Sequence, residues 1–442
     1  MTPPKSRSEQ LYERALKVMP GGVSRNTILR RPHPLYAARG RGCRVLDVEG
    51  VERVDFANNM ASLIHGHAHP AIVEAVTAQL ARGTAFTLGT EQEVEYAEHM
   101  CGRSPAFEKI RFVNSGTEAV MACLKASRAY TGRPMIAKVE GAYHGLYDYA
   151  EISETAAPAT WGAPDHPASV AVARGTPQSV LDEVVVIPFN DPERAVAILN
   201  DHADRLACVL VDPVPHRVGL IPIRPEFLSA LRAWTSERGV LLVFDEVITY
   251  RAGYGGVQEL HDVRPDLTAM GKMIGGGFPV GALAGRREVM DVMNPLSGNP
   301  LFPHAGTFSA NPITMTAGHT AMKLFDRAAV ERVNALGDRA RRQITEAISV
   351  AGVPACVTGA ASMFRIHFKP EPPTDYRSSF ATPEEAGMLK ALLDHLFDSG
   401  FIMISTGTAM LSTVMTEREI DALTEAVLAG LRKIKTLRDS SA

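Results

Sequence analysis

The sequence predicts an α/β protein: a mostly parallel sheet with helices on both faces, followed by a smaller α+β domain. Two observations carry this. Between about 70 and 320, short runs rich in Val and Ile and bounded by turn residues alternate with helical patterns. The runs are mostly apolar, as strands buried on both faces are. After about 325 the character changes to one long amphipathic helix, short strands and a closing helix.

The elements follow in order. "EQLYERALKV", within 8–18, has helical spacing and is stopped by "MPGG". "RGCRVLDVEGVERVDFA" reads as a hairpin: Val45, Leu46 and Val48, a turn at Glu49-Gly50, then Val54 and Phe56. "KIRFVN", "PMIAKV", "EVVVIPF", "LACVLVDPV" and "VLLVFDEV" read as the buried strands. Between them lie helical patterns such as "TEAVMACLKASRAYTG" and "PEFLSALRAWTSERG", the second opening on Pro and closing on Gly. "RAAVERVNALGDRARRQITEAISVAG" is the long amphipathic helix, "MFRIHFK" and "MLSTV" are short strands, and "FKPEPPTDYRSS" is a surface loop. "TEREIDALTEAVLAGLRKI" closes the chain, with Thr416 and Glu419 spaced as a capping box.

Composition excludes several functions. The 442 residues are 45% hydrophobic and 21% charged, an ordinary globular mix. Lys+Arg number 46 against 49 Asp+Glu, and no basic run stands out, so neither nucleic acid nor an anionic membrane is expected as a partner. The first residues lack an apolar h-region and no apolar stretch approaches the length of a membrane span, so neither a secretory signal nor a membrane segment is expected. Cys43, Cys101, Cys123, Cys208 and Cys356 are scattered and form no CxxC, which suits reduced thiols in the cytoplasm. No metal site is expected.

Three stretches could carry chemistry. In "VLLVFDEV" (Val240–Val247), an apolar run ends in Asp245 and Glu246. The acids could simply meet water at a strand end. Alternatively, one of them is held for a buried cation, because open α/β sheets bind ligands at the carboxyl ends of their strands. In "FVNSGTEAVMACLKA", Ser115, Gly116 and Thr117 join a strand to a helix. Hydroxyls and free N–H groups there make a phosphate cup, or Thr117 serves only as an N-cap. In "LTAMGKMIGGGFPVGALAG", Lys272 follows an apolar stretch and precedes three glycines. It is either a loop lysine or a dry one with lowered pKa, able to form an imine. The glycines do not match GxGxxG, which removes support for a nicotinamide site. Together, a phosphate cup, a strand-end aspartate and a lysine 27 residues later are what pyridoxal phosphate requires.

These residues, with "MPGGVSR", "GHAHP", "NSGTEA", "YHG", "VLVDPV", "FDEVIT", "GKMIGGG" and "AGTFSANP" in that order, resemble the class III aminotransferases of pyridoxal-phosphate fold type I. That group includes glutamate-1-semialdehyde aminomutase, amine transaminases and β-amino-acid aminotransferases. The resemblance implies a large domain at 70–325 on a mostly parallel, seven-stranded-type sheet. A smaller α+β domain at 326–442 would follow, with 1–69 joining it. Lys272 would be the Schiff-base lysine and proton carrier, and Asp245 would meet the pyridine nitrogen. Ser115, Gly116 and Thr117 would bind the phosphate. Tyr143 would stack on one ring face and Val247 pack on the other. Thr307 would reach the phosphate of a neighbouring subunit, making the unit a homodimer. His144 and Glu246 would be structural.

The same resemblance suggests a substrate class. "MPGGVSRNTILRRPHPLYAARG" is similar to the β-amino-acid branch, where the residue at the Arg25 position grips a carboxylate; Arg30 or Arg31 are alternatives. The expected reaction moves an amino group from a β-amino acid or related amine to a keto acid. A semialdehyde aminomutase or an amine-specific transaminase is the alternative. Three departures bear on this. Asp212 stands where the family usually has Glu. His216-Arg217 replaces the Gly-Asn of the aminomutase branch. "SGFIMISTGTAMLST" lacks an arginine carried by the β-amino-acid branch. A non-catalytic cofactor-binding protein is disfavoured by the intact Lys272, Asp245 and Tyr143.

Overall fold

A computed structural model describes residues 5–439. Residues 1–4 and 440–442, the outer ends of the first and last expected segments, lie outside the described residues. The chain forms a mixed α/β fold around a seven-stranded sheet. Its strands are β1 (Lys109–Val113), β2 (Met135–Val139), β3 (Val184–Ile187), β4 (Leu206–Val211), β5 (Leu241–Asp245), β6 (Leu267–Gly271) and β7 (Gly281–Gly285). Their order across the sheet is β1-β7-β6-β5-β4-β2-β3. β7 runs antiparallel to both β6 and β1, and every other pairing is parallel.

Alternate side chains of these strands face separate cores on the two sides of the sheet, with Phe112, Met270, Ala282 and Ala284 joining the core shared with the chain's last third. Val113, Ile136, Leu210, Val243 and Leu283 pack with Ala119 and Cys123 of the helix Gly116–Thr131. Ala137, Val209, Leu242 and Phe244 pack with Phe227 and Leu231 of the helix Pro225–Arg238. The expected runs account for β1 to β5. β6 and β7 are strands that periodicity does not announce, because "LTAMG" and "GALAG" hold almost no β-branched residue. Glycine is required in β7: a Cβ on Gly281 would stand 2.0 Å from the backbone oxygen of Ser115.

A second sheet joins the two ends of the chain. The strands Ala37–Arg41, Arg44–Asp47 and Glu52–Asp55 form an antiparallel meander, and Phe401–Ile402 adds to it in parallel beside Glu52–Asp55. A third sheet pairs Cys356–Thr358, Met363–His367 and Thr408–Met410. The long helix Arg327–Ala351 and the closing helix Glu417–Asp439 pack in one core with Phe364, Ile366 and Leu411.

Several local expectations are corrected. The first helix is Arg7–Ala15, capped by Ser6, and stops before Lys17 and Val18. "MLSTV" contributes only Met410 to a strand; Leu411 N–H turns to Ser362 O and Thr413 N–H to Ile64 O. At the closing helix, the Glu419 carboxylate accepts from both the N–H and the hydroxyl of Thr416, the glutamate half of a capping box. "FKPEPPTDYRSS" is not a plain surface loop. It holds the helical turn Tyr376–Ser379, whose buried Tyr376 donates its hydroxyl to Ala156 O at 2.6 Å. Arg377 beside it clasps the Glu140 carboxylate at 2.9 Å. The five cysteines carry no disulfide, and all but Cys101 are buried. Among the described residues no helix is long and apolar enough to cross a membrane.

Candidate active site

The sheet brings three strand ends together. β5 and β6 are parallel neighbours with Asp245 opposite Ala269, so Asp245 lies at the edge that Lys272 enters directly after Gly271. β7, antiparallel to both β1 and β6, puts the end of β1 and the following helix at that same edge. A cavity of about 560 Å³ opens there. Lys272, Asp245, Ser115, Gly116, Thr117, Tyr143, Val247 and Arg25 all line it. Thr307 does not; it is exposed, away from this cavity.

Asp245 is 4% exposed. Its Oδ1 accepts the Val247 N–H at 3.0 Å, and its Oδ2 lies 2.7 Å from Nδ1 of His144. Burial draws the His144 pKa down despite the opposing pull of Asp245. The imidazole is therefore neutral and donates its Nδ1–H to the carboxylate. Nε2 of His144 is buried and has no partner. Glu246 turns the other way. Its carboxylate accepts the Val257 N–H at 2.6 Å and the Gln258 amide at 3.0 Å, and burial pushes its pKa up to about 7. Only one of the two adjacent acids faces the cavity.

Lys272 sits at φ +49°, a left-handed conformation that costs a non-glycine residue about 1–2 kcal/mol. Burial lowers its pKa, opposed by the charges of Asp245 and Asp212. Asp212 also lines the cavity. Burial first, and then Asp245, hold its pKa well above the carboxylate range, while its Oδ1 accepts the Val214 N–H at 2.9 Å. A second buried acid therefore lines the cavity together with the lysine and Asp245.

At the start of the helix Gly116–Thr131, Ser115 is the N-cap: its hydroxyl accepts the Glu118 N–H at 3.1 Å. The Glu118 carboxylate reaches back to the Asn114 N–H at 2.7 Å. The N–H groups of Gly116 and Thr117 belong to the first turn, which has no intrahelical acceptors, and both residues line the cavity. Cap and cup are thus compatible, with Ser115 rather than Thr117 as the cap. A Cβ on Gly116 would stand 2.8 Å from Val247, so a side chain there would push Val247 aside.

Arg25 lies exposed at the mouth, its Nη1 donating to Asn59 Oδ1 at 2.7 Å. Arg30 is committed elsewhere, paired with Asp394 at 2.9 Å and stacked 3.7 Å over Phe397. Neither it nor Arg31 lines the cavity. Arg217 is not a cavity-lining group either; it pairs with Glu154 at 2.8 Å.

The residues present fit pyridoxal phosphate. A helix terminus offers N–H groups to an anion, a buried carboxylate faces the same space, and a lysine of lowered pKa enters it. Sequence reasoning missed the contact of His144 with Asp245 and the position of Asp212. The one signal for His144 was its place next to Tyr143 in "YHG".

Fold and cavity together define a pyridoxal-phosphate-dependent enzyme of the transaminase fold. The chain belongs to the class III aminotransferases: the family model "Aminotransferase class-III" matches residues 28–431. It is 42% identical over 371 residues to the glutamate-1-semialdehyde 2,1-aminomutase of Methanothermobacter thermautotrophicus, covering 84% of this chain and 86% of that one. The crystal structure of an omega-transaminase from Sphaerobacter thermophilus is 47% identical, with a TM-score of 0.96 over 98% of this chain and 99% of that one. The beta-phenylalanine aminotransferase from Variovorax paradoxus is 32% identical, with a TM-score of 0.86 over 97% and 94%.

Proposed function

We propose that the protein moves an amino group from a β-amino acid, or a related amine-bearing acid, to a keto acid. The observation that carries this reading is the placement of Lys272 and Asp245 in one cavity whose mouth holds Arg25, a guanidinium bonded to the neutral amide of Asn59. The cofactor, when bound, supplies the electron sink and the carbonyl that receives the amino group. The protein's part is binding, orientation and proton movement. Ser115 and the N–H groups of Gly116 and Thr117 would hold the phosphate. Tyr143 and Val247 would pack against the ring. Asp245, oriented by His144, would favour a protonated ring nitrogen. Lys272 would hold the cofactor through its aldehyde. Because burial disfavours its ammonium, its Nζ would be suited to take up a proton from the donor carbon and give it back. Arg25 grips the donor carboxylate through two parallel N–H donors. The active unit is a cytoplasmic homodimer in which the exposed Thr307 serves the phosphate site of the partner.

The second reading is a glutamate-1-semialdehyde aminomutase, favoured by the relatives that carry that name. The distinguishing experiment is a visible spectrum of purified protein titrated with one donor at a time and no keto acid. Bleaching of the cofactor's visible band by β-amino acids supports the transferase. A band that persists with each amino acid and amine, with isomerisation of a semialdehyde alone, supports the aminomutase. A protein that binds no pyridoxal phosphate at all removes both readings.

A further inference from the structure

Tyr143 has a charged neighbour. The guanidinium carbon of Arg217 lies 5.1 Å from the centroid of the Tyr143 ring, and Arg217 itself does not line the cavity. The guanidinium is held by Glu154, with Nη1 2.8 Å from Oε1. The two partners differ sharply in exposure: the Arg217 side chain is 39% exposed, that of Glu154 only 6%. An ordinary surface pair has both ends in water and holds nothing in place. Here the carboxylate is sunk into the protein and the cation emerges over an aromatic face.

A second basic group acts on the buried carboxylate. Lys138, on β2, is fully buried, and its Nζ donates to Ala142 O at 2.9 Å and Ile152 O at 2.5 Å. Burial raises the Glu154 pKa, helped by the neighbouring Glu151, and the charges of Arg217 and Lys138 oppose that rise. Lys138 bonds to both ends of one looped segment, at Ala142 and Ile152, and this segment carries Tyr143 and leads into Glu154. Arg217 reaches this group from the segment after β4.

We propose that Arg217 is a positioning residue for Tyr143: pinned by Glu154, its guanidinium fixes the plane of the tyrosine ring and so contributes to the affinity and orientation of pyridoxal phosphate. The inference rests on the reading that Tyr143 stacks on the cofactor. It also assigns the cation at position 217 a task other than gripping substrate. The guanidinium is already committed to a buried acid and an aromatic ring, each of which a substrate carboxylate would have to displace.

The test uses the full chain stripped of cofactor and measures pyridoxal phosphate binding by fluorescence titration. Circular dichroism of the bound cofactor in the visible range is the second readout, and the melting temperature without cofactor controls for folding. Arg217→Met keeps the length of the side chain and removes charge and ion pair. It is expected to weaken binding about five- to tenfold and to reduce the visible dichroism, at little cost in melting temperature. Arg217→Lys should recover part of the affinity, because an ammonium keeps the charge but not the flat fork. Glu154→Gln should weaken binding in the same direction, and the double variant should bind no worse than Arg217→Met alone. Tyr143→Ala is the reference. If it weakens binding while Arg217→Met changes neither affinity nor dichroism, the positioning role is wrong and the cofactor reading stands. If Tyr143→Ala itself leaves affinity unchanged, the stack and the proposal built on it fall together.

Discussion

Nδ1 of His144 lies 2.7 Å from Oδ2 of Asp245, and neither side chain is open to bulk solvent. A neutral imidazole there supplies a donor without cancelling the negative charge of the aspartate, which remains free to hold a cation in the cavity. Asp245→Asn removes the charge and keeps the shape. Stopped-flow single turnovers with a saturating donor are expected to slow by about 100-fold or more. His144→Phe leaves the charge but frees the carboxylate to rotate, and a smaller loss is expected. Unchanged single-turnover rates in Asp245→Asn would mean that another residue controls the ring nitrogen.

Lys272→Ala separates anchoring from binding. The helix terminus at Gly116 and Thr117 is intact in that variant, so pyridoxal phosphate should still bind, now removable by dialysis. Turnover should fall by at least about 10³-fold, because the group that moves the proton is gone. In the native protein, borohydride reduction followed by peptide mass mapping should place the cofactor on Lys272. Full activity in Lys272→Ala, or label on another lysine, would remove Lys272 from this role.

Much of this was legible in the sequence, and the part that was not has physical causes. The strands β2 to β5 announce themselves because both of their faces are buried; β1, half-buried, is read from its Ile, Phe and Val. β6 and β7 do not, because alanine and glycine carry the close approach to Ser115 and leave no β-branched pattern to read. The pair Asp245-Glu246 could be suspected of one functional acid. Which one it was could be read only from the family resemblance, because the partners that bury Glu246 are Val257 and Gln258, placed by a later turn. His144 and Asp245 are 101 residues apart, and no local pattern links them. The same holds for Tyr376, which sits in a Pro-rich stretch but packs into a core with Trp161 and bonds to Ala156 across the fold.

Two glycines predict opposite kinds of failure. A Cβ on Gly281 meets backbone, 2.0 Å from Ser115 O, and backbone cannot rotate away. Gly281→Ala is therefore expected to cost about 1–3 kcal/mol of stability, seen as a lowered melting temperature before any effect on binding is considered. A Cβ on Gly116 meets the methyl groups of Val247 at 2.8 and 3.0 Å, and a side chain can shift. Gly116→Ala should fold with a near-native melting temperature and bind pyridoxal phosphate less tightly, because Val247 is displaced into the space for the ring. A Gly116→Ala protein with native affinity would show that Val247 does not define that space.

The acid limit of stability should be set partly by His65 and His367. They are 4% and 5% exposed, and burial lowers their pKa values to about 4 and about 3. His65 donates Nε2–H to Ala321 O and accepts at Nδ1 from Thr413, so it needs one neutral tautomer. The folded values lie below the roughly 6.5 of an unfolded histidine. As pH falls below that, the unfolded chain gains protons that the folded chain refuses, and stability drops until pH passes the folded values. Above about 6.5 the contribution is fully present. Each group adds a slope of about 1.4 kcal/mol per pH unit within its window. Melting temperatures from pH 7 to 4 should fall steadily, and His65→Gln should flatten the fall. An unchanged slope in that variant would show that His65 already titrates as it does in the unfolded chain.

Arg25→Ala tests the substrate class without touching the cofactor residues. The guanidinium is bonded to Asn59, a neutral partner, so its charge remains available at the mouth of the cavity. A planar fork recognises a carboxylate through two N–H donors, and that gain disappears for a donor that has no carboxylate. The variant should raise KM for β-amino acids by about tenfold, leave kcat within a few-fold, and change KM for plain amines little, the pattern of lost ground-state binding. Because Arg25 is exposed, the difference between the two donor classes should shrink in the wild-type protein as salt is added. Arg25→Lys should fall between wild type and Arg25→Ala for carboxylated donors. An equal rise in KM for amines and amino acids would take Arg25 out of the carboxylate site and favour a donor held by shape alone.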